Sequence, residues 1–326
     1  MDKLVTIYGG SGFVGRYIVR RMAREGWRIR VAVRRPNEAL FVKPYGSVGQ
    51  VEPVFCNIRD DASVRAVMHG ADAVVNCVGI LSEQGRNRFH AVQGEGAGRV
   101  ARIAAELGVQ HLVQLSAIGA DPASPSAYGR SKAAGEAAVR AAFPAAVILR
   151  PSVIFGAEDE FFNRFAAMAR FGPVLPVVGG ATKFQPVYVD DVAQAAVAGV
   201  LGQAAPGVYE LGGPDVETFR GLMHLMLEVI RRRRLVISVP FFAARVMASV
   251  LDLVQAVTLG LVHNGLLTRD QVRNLARDNV VSPGARTLSH LGIVPSALGA
   301  VLPEYLWRYR PSGQYAAIKE SARNLH

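Results

Sequence analysis

Cysteine is nearly absent from this chain: Cys56 and Cys77 are the only two in 326 residues. Both fall in apolar, strand-like stretches, so a disulfide framework is excluded, no metal site is suggested, and a reducing compartment is expected. No segment reaches about 18 uninterrupted apolar residues, so none is expected to span a bilayer. No leader is expected either, because the first expected strand begins at Lys3, and a bacterial or cytosolic protein is the simplest expectation. Acidic residues are in short supply, 26 against 37 lysines and arginines, and the net charge is +11. That excess asks for an anionic partner: a nucleotide, a membrane surface, nucleic acid or an acidic protein. Nucleic acid is the poorest of these, since helix-turn-helix, zinc spacing and aromatic-studded basic strands are all missing. Arginine-rich composition with no function attached is the plain alternative.

What is present is concentrated at the start. Lys3-Leu-Val-Thr-Ile-Tyr runs into Gly9-Gly-Ser11-Gly12-Phe13-Val14-Gly15 and then a helical pattern. The G-x-x-G-x-x-G spacing is a variant of the dinucleotide fingerprint. Gly9 permits the tight turn, Gly12 the approach of a pyrophosphate, and Gly15 close packing of helix on strand. The helix then offers free N–H groups to the anion.

Strands are expected at Leu4–Tyr8, Arg28–Val33, Val51–Cys56, Ala73–Cys77, Leu112–Leu115 and Ala146–Leu149. Helices are expected at Gly12–Glu25, Ala62–Met68, Ala91–Leu107 and Ser126–Ala142. This alternation predicts an α/β protein with a Rossmann-type doubly wound parallel sheet and a smaller, mostly helical C-terminal lobe. A further helix is expected at Val187–Leu201 and a strand at Val208–Leu211. Residues 1–215 would form the nucleotide-binding domain, with 151–186 contributing to the second lobe, and residues 216–326 the docking lobe.

The second strand ends Val31-Ala-Val-Arg34-Arg35. An acidic residue there would receive a ribose 2′-hydroxyl. Arg34, with Arg35, instead suits a 2′-phosphate, so NADP(H) is expected over NAD(H). Asn57 and Ile58 after the third strand would border the adenine, and Val78 and Gly79 after the fourth the ribose. Tyr128 and Lys132, four apart, share a helix face. Lys132 would bond the nicotinamide ribose and its charge would depress the Tyr128 pKa, suiting the phenol to exchange a proton as hydride moves. Taken alone, Y-x-x-x-K is common on exposed helices.

Together these features resemble the short-chain dehydrogenase/reductase superfamily, in its extended or atypical branch. Gly9/Gly12/Gly15, Asn57–Asp60, Tyr128/Lys132, Arg150-Pro151-Ser152 and Pro186-Val-Tyr-Val-Asp-Asp191-Val follow that family's order over about the first 215 residues. A narrower likeness lies in Pro151-Ser-Val-Ile154-Phe-Gly-Ala-Glu-Asp-Glu-Phe-Phe-Asn163, Met168-Ala-Arg-Phe-Gly-Pro173, Gln185–Val192 and Leu267-Thr-Arg-Asp-Gln-Val272. These stretches resemble the family of NADPH-binding accessory subunits of respiratory complex I. The resemblance implies NADPH held as a structural group, with Pro151 and Ile154 among the residues that bind it, and partners among the other complex I subunits. It also implies a peripheral position at the cytoplasmic face of the bacterial inner membrane. Active superfamily members place a serine late in the run after the fifth strand. Here Ser116 comes first, with Ala117 and Ile118 in the later places, so Ser116 would serve the cofactor. Loss of such a donor lowers rates on the order of 10²–10³.

In the second lobe, Arg231–Arg234 precede an apolar helix with Phe242, Val246, Val250, Leu253 and Val257 on one face and Arg245, Ser249 and Asp252 on the other. Such a segment suits an anionic membrane surface, a partner subunit or simply the core. Trp307, Tyr309 and Tyr315 among basic residues suggest a contact arm. The expected function is an accessory subunit that binds NADPH without turnover. Rival readings are an active reductase or epimerase using Tyr128, Lys132 and Ser116, or an NADP(H)-binding redox sensor.

Overall fold

The structure, a computed structural model, describes residues 3–257, 268–311 and 313, with the side chains of 250–257 outside that description. Short apolar runs become the strands of a central parallel sheet: β1 (Leu4–Tyr8), β2 (Arg28–Val33), β3 (Val51–Phe55), β4 (Ala73–Asn76), β5 (His111–Leu115) and β6 (Val147–Pro151). Further along come β7 (Ile154–Phe155), β8 (Val174–Val178), β9 (Lys183–Phe184), β10 (Val187–Tyr188), β11 (Gly207–Leu211), β12 (Glu217–Thr218) and β13 (Leu235–Val239). Among the described residues the large sheet has seven strands in the order β3-β2-β1-β4-β5-β6-β11, all parallel. The order reverses direction between β1 and β4, which opens a crevice at the carboxyl ends of the strands.

Period-two alternation splits the strands between two cores. Val5 and Ile7 of β1 join Ile18 and Met22 of α1 (Phe13–Arg24). Tyr8 and Val74 face the other way, onto Val64 of α2 (Asp61–Met68), Val100 and Ile103 of α3 (Glu95–Glu106) and Val139 of α4 (Ala127–Ala142). The helix expected at Ala91–Leu107 begins as a π-turn over His90–Gly94 before α3 proper. Residues Pro36–Tyr45, given no element by the sequence, form a 3₁₀ segment whose Ala39 and Val42 are buried.

A separate core gathers Phe155, Phe162 and Ala166 of α5 (Phe162–Phe171), Leu175 and Val177 of β8, and Met223 and Met226 of α7 (Phe219–Val229). Leu302 and Leu306 of α10 (Leu298–Leu306) close it. Between the two lobes, α6 (Val189–Val200) covers the main sheet. It starts later than expected because Val187–Tyr188 are spent pairing with β7.

Helix α8 (Phe241–Val257) turns Ala244 and Ala248 inward, onto Val178 and Val272 of the short helix α9 (Arg269–Asn274). Phe242 and Val246 are exposed, so this end of the stripe is not a core face. Val250, Leu253 and Val257 belong to the helix, but their side chains lie outside the described residues, as do Leu267 and Tyr315 entirely. Tyr309 is not part of a free arm: its hydroxyl donates to Asn163 Oδ1 at 3.0 Å. No described helix is long and apolar enough to cross a membrane.

Candidate functional site

The glycine loop turns where β1 meets α1. Gly9 has φ +74°, and its N–H donates to Ala32 O of β2 at 2.9 Å. A methyl group on Gly15 would stand 2.4 Å from Gly9 O, so α1 can press on the loop only without a side chain there. Gly12 caps α1 with no side-chain acceptor and no acid in the first turn. The first N–H groups of α1 are therefore left for an incoming anion. Arg16, which sequence reasoning missed, braces the loop: its guanidinium donates to Gly12 O at 3.3 Å and Ser11 O at 3.2 Å, and lies over the Phe41 ring. Its place one turn into α1 is the only signal that could have found it. Val78 packs against Gly9, which joins the end of β4 to the loop.

The two arginines after β2 part company. Arg35 pairs with Glu38 at 3.0 Å. Arg34 is exposed and makes no ion pair or hydrogen bond among the described residues. Asn57 folds inward on its own loop. Its Oδ1 accepts from the Arg59 backbone at 3.2 Å, and its N–H donates to Ser63 Oγ at 2.9 Å. Ile58 is buried against the glycine Gly96 of α3. Pro151 ends β6, accepting from Ile118 N–H at 3.0 Å, and Ile154 pairs with Val187.

Tyr128 and Lys132 share one face of α4, with the ammonium 5.8 Å from the centre of the phenol ring. Lys132 is buried, and its Nζ donates to Leu115 O at 3.3 Å. A methyl on Gly79 would lie 3.4 Å from that ammonium, so the end of β4 opens directly onto it. Burial pulls the lysine down to about 8, only partly opposed by Glu136 and Cys77. Burial likewise pushes Tyr128 up to about 12, against the expectation that Lys132 would depress it. The physical reason is that a desolvated cation 5.8 Å from the ring does not repay the phenolate's own loss of water. Next to this pair, Gln93 is buried and its Oε1 has no hydrogen-bond partner among the described residues, near the same face of Gly79. An ammonium with donors to spare and an orphaned amide oxygen are a fit for the hydroxyls of a ribose.

Ser116 is held elsewhere. Its hydroxyl donates to Glu136 Oε1 at 2.5 Å. Glu136, on α4 one turn after Lys132, is fully buried and takes a two-pronged bond from Arg150 at 2.8 and 2.7 Å. Arg150 reaches on to Glu210 at 3.4 Å, and Glu210 accepts from Ser282 N–H at 2.8 Å. The carboxylate beside it raises the Arg150 guanidinium above its ordinary range. A serine whose proton is committed to a buried carboxylate has no proton left to aim at a substrate oxygen.

The second lobe grips the same helix. Asp270 of α9 accepts from Ser126 Oγ at 2.8 Å, Ala127 N–H at 2.7 Å and Tyr128 N–H at 3.1 Å. Ser126 in turn caps Gly129 N–H at 3.2 Å. The stretch from Thr268 to Val272 thus supplies the cap of α4 from across the chain. The other resembling stretches also tie elements together. Asp190 takes Arg21 of α1 at 2.7 and 2.5 Å, Asp191 takes Ser296 N–H at 2.7 Å, and Asp159 takes the Tyr305 hydroxyl at 2.5 Å.

Residues 5–212 match the family described as NAD dependent epimerase/dehydratase. Over 316 residues the chain is 37% identical to an Arabidopsis thaliana protein named NADH dehydrogenase (ubiquinone) 1 alpha subcomplex subunit 9, mitochondrial, covering 95% of this chain and 79% of that one. It is 35% identical over 230 residues to the ceramide reductase of Caulobacter vibrioides, covering 68% and 70%. The epimerase Mth375 of Methanothermobacter thermautotrophicus shares the fold with a TM-score of 0.70 at 17% identity, over 99% of this chain and 95% of that one.

Proposed function

The chain belongs to the NAD dependent epimerase/dehydratase family, and we propose that within it this protein is the NADP(H)-binding accessory subunit of a proton-pumping NADH:quinone oxidoreductase. One observation carries the reading: likeness to the respiratory subunit extends over 95% of the chain and takes in the second lobe, where the reductase's stops at 68%. The docking lobe is part of what is shared.

In this reading Gly9, Ser11, Gly12, Phe13, Val14 and Gly15 receive the pyrophosphate on backbone N–H groups. Arg34 faces the 2′-phosphate, and Asn57, Ile58, Val78 and Gly79 shape the adenosine side. Lys132, Tyr128, Gln93, Pro151 and Ile154 hold the nicotinamide ribose. Bound NADP(H) supplies redox chemistry in principle, and here these residues use it to bind and orient. Tyr128 keeps its proton at neutral pH, and Ser116 is engaged by Glu136. The nucleotide then braces the fold by mass action. The subunit sits in the peripheral arm, on the cytoplasmic face of a bacterial inner membrane.

Solubilising membranes gently and resolving them on a native gel tests this. Comigration with the respiratory enzyme, and NADP(H) released on denaturation, are expected; an exclusively free pool overturns the assignment. A working reductase is the second reading, favoured by the intact Tyr128–Lys132 pair. It requires NADPH consumption by the purified protein that Tyr128→Phe abolishes.

A further inference from the structure

The second lobe carries an apolar surface on the paired strands β8 and β13. Their parallel register sets Val174 opposite Leu235 and Pro176 opposite Ile237. The alternate residues Leu175, Val177 and Val236 point into the lobe's core. In a ribbon with one buried face, the outer positions are ordinarily polar. Here the outer row is Val174, Pro176, Leu235 and Ile237, all exposed, Leu235 by 64%. Phe171, just before β8, is 88% exposed.

Cations gather at one end of this row. Arg231, at φ +54°, lies two residues past the end of α7, and Arg232–Arg234 lead into Leu235, whose N–H donates to Pro173 O at 3.0 Å. Arg232 and Arg234 are steadied by main-chain carbonyls, of Tyr309 at 2.9 Å and Ala169 at 2.8 Å. Among the described residues, Arg170, Arg232, Arg233 and Arg234 have no carboxylate within ion-pair distance. The arginines line an open cavity of about 480 Å³ with His224 and Glu228. Arg232 is lowered by its loss of water and by Arg234 and Arg170 beside it.

We infer that this face docks on an anionic phospholipid bilayer, with Phe171 and the outer ribbon row in the acyl boundary and the arginines at the phosphates. The order of the groups supports a bilayer over a protein neighbour. Arginines without an ion pair among the described residues sit with Phe171 at one end, and the bare apolar row of the ribbon runs on from them, a pairing of cations and hydrocarbon that a headgroup layer over acyl chains matches. The net charge of +11 acts in the same direction. The surface is built from β8, β13 and Phe171 and uses no residue of α8, and it extends the respiratory reading without depending on it.

The test is cosedimentation of the full-length protein with phosphatidylcholine vesicles, with and without phosphatidylglycerol. Binding is expected only with the anionic lipid, and it should weaken as salt rises. Phe171→Ser should reduce binding roughly tenfold. Arg170→Gln with Arg233→Gln should reduce it on the order of 20-fold, about fivefold for each charge. Both side chains are exposed, and unchanged thermal unfolding of each variant verifies the fold. Equal binding to neutral vesicles, no binding at all, or variants that bind like the parent overturn the inference. Variants that bind vesicles normally yet lose comigration with the respiratory enzyme assign the face to a protein neighbour and overturn it too. Failure of comigration in the parent protein, with vesicle binding intact, rejects only the respiratory reading.

Discussion

At the residue scale the site is a set of charges placed before any ligand arrives. Arg34 has no competing partner among the described residues, so Arg34→Glu should cost NADPH affinity about 10- to 100-fold and leave NADH affinity nearly unchanged, as read by fluorescence titration. Arg35→Gln should do much less, because that side chain already serves Glu38. Lys132 makes the opposite trade. Its folded value of about 8 lies below the ordinary 10.5, so the unfolded chain holds a proton that the folded chain sheds. Stability of the nucleotide-free protein should therefore rise between about pH 8 and pH 10.5. At neutral pH the buried charge is a liability, and Lys132→Met should raise unfolding stability by roughly 1–2 kcal/mol while nucleotide retention is lost. Urea denaturation beside nucleotide extraction measures both. The Tyr-Lys spacing was legible in the sequence, but the direction of the Tyr128 shift was not. Burial of a phenol depends on elements distant along the chain, including the Phe89 ring stacked edge-on at 5.9 Å.

At the scale of elements, α4 is the hinge between sheet and second lobe. Its middle is anchored by Glu136 to Ser116 and Arg150, and its start by Asp270 from α9. Removing the Asp270 carboxylate strips hydrogen bonds from Ser126 and from the N–H groups of Ala127 and Tyr128. Asp270→Ala should cost about 2 kcal/mol in unfolding free energy, at the upper end for a cap because several donors are orphaned together. Tyr128 is carried by the same turn, so NADPH affinity should fall as well, which a titration alongside the urea melt would detect. Asp270→Asn, which keeps acceptor oxygen but not charge, should recover part of each loss. Strand positions in the first half were readable to within a residue or two because buried parallel strands are short, continuous apolar runs. The 3₁₀ segment at Pro36–Tyr45 and strand β13 were not. The first lacks helical periodicity, and the second has apolar residues on both faces, which alternation cannot register.

For the whole molecule, the second lobe reaches the nucleotide-binding part through Asp270 of α9 on the start of α4 and through Ser296, whose N–H donates to Asp191 of α6. A ligand that binds only the folded state adds about 2.7 kcal/mol at a hundredfold excess over its dissociation constant. For a chain of this length NADPH should raise Tm by a few degrees, and the rise should vanish in Lys132→Met. Because α9 caps α4, the same addition should protect residues 268–275 from proteolysis or hydrogen exchange. Protection confined to the first 215 residues would disprove the mechanical link.

The glycine turn, the order of strands and helices, the arginine after β2 and the Tyr-Lys pair were determined by local sequence alone. Each depends on spacing along a few residues, and spacing survives without a fold. Ser116 being tied to Glu136, and α4 being capped by an aspartate 143 residues from the Ala127 N–H it receives, are contacts between distant segments. So is the bare apolar row beside the arginines of the second lobe. Only the packed chain decides such matters, because burial and pairing are properties of what surrounds a residue.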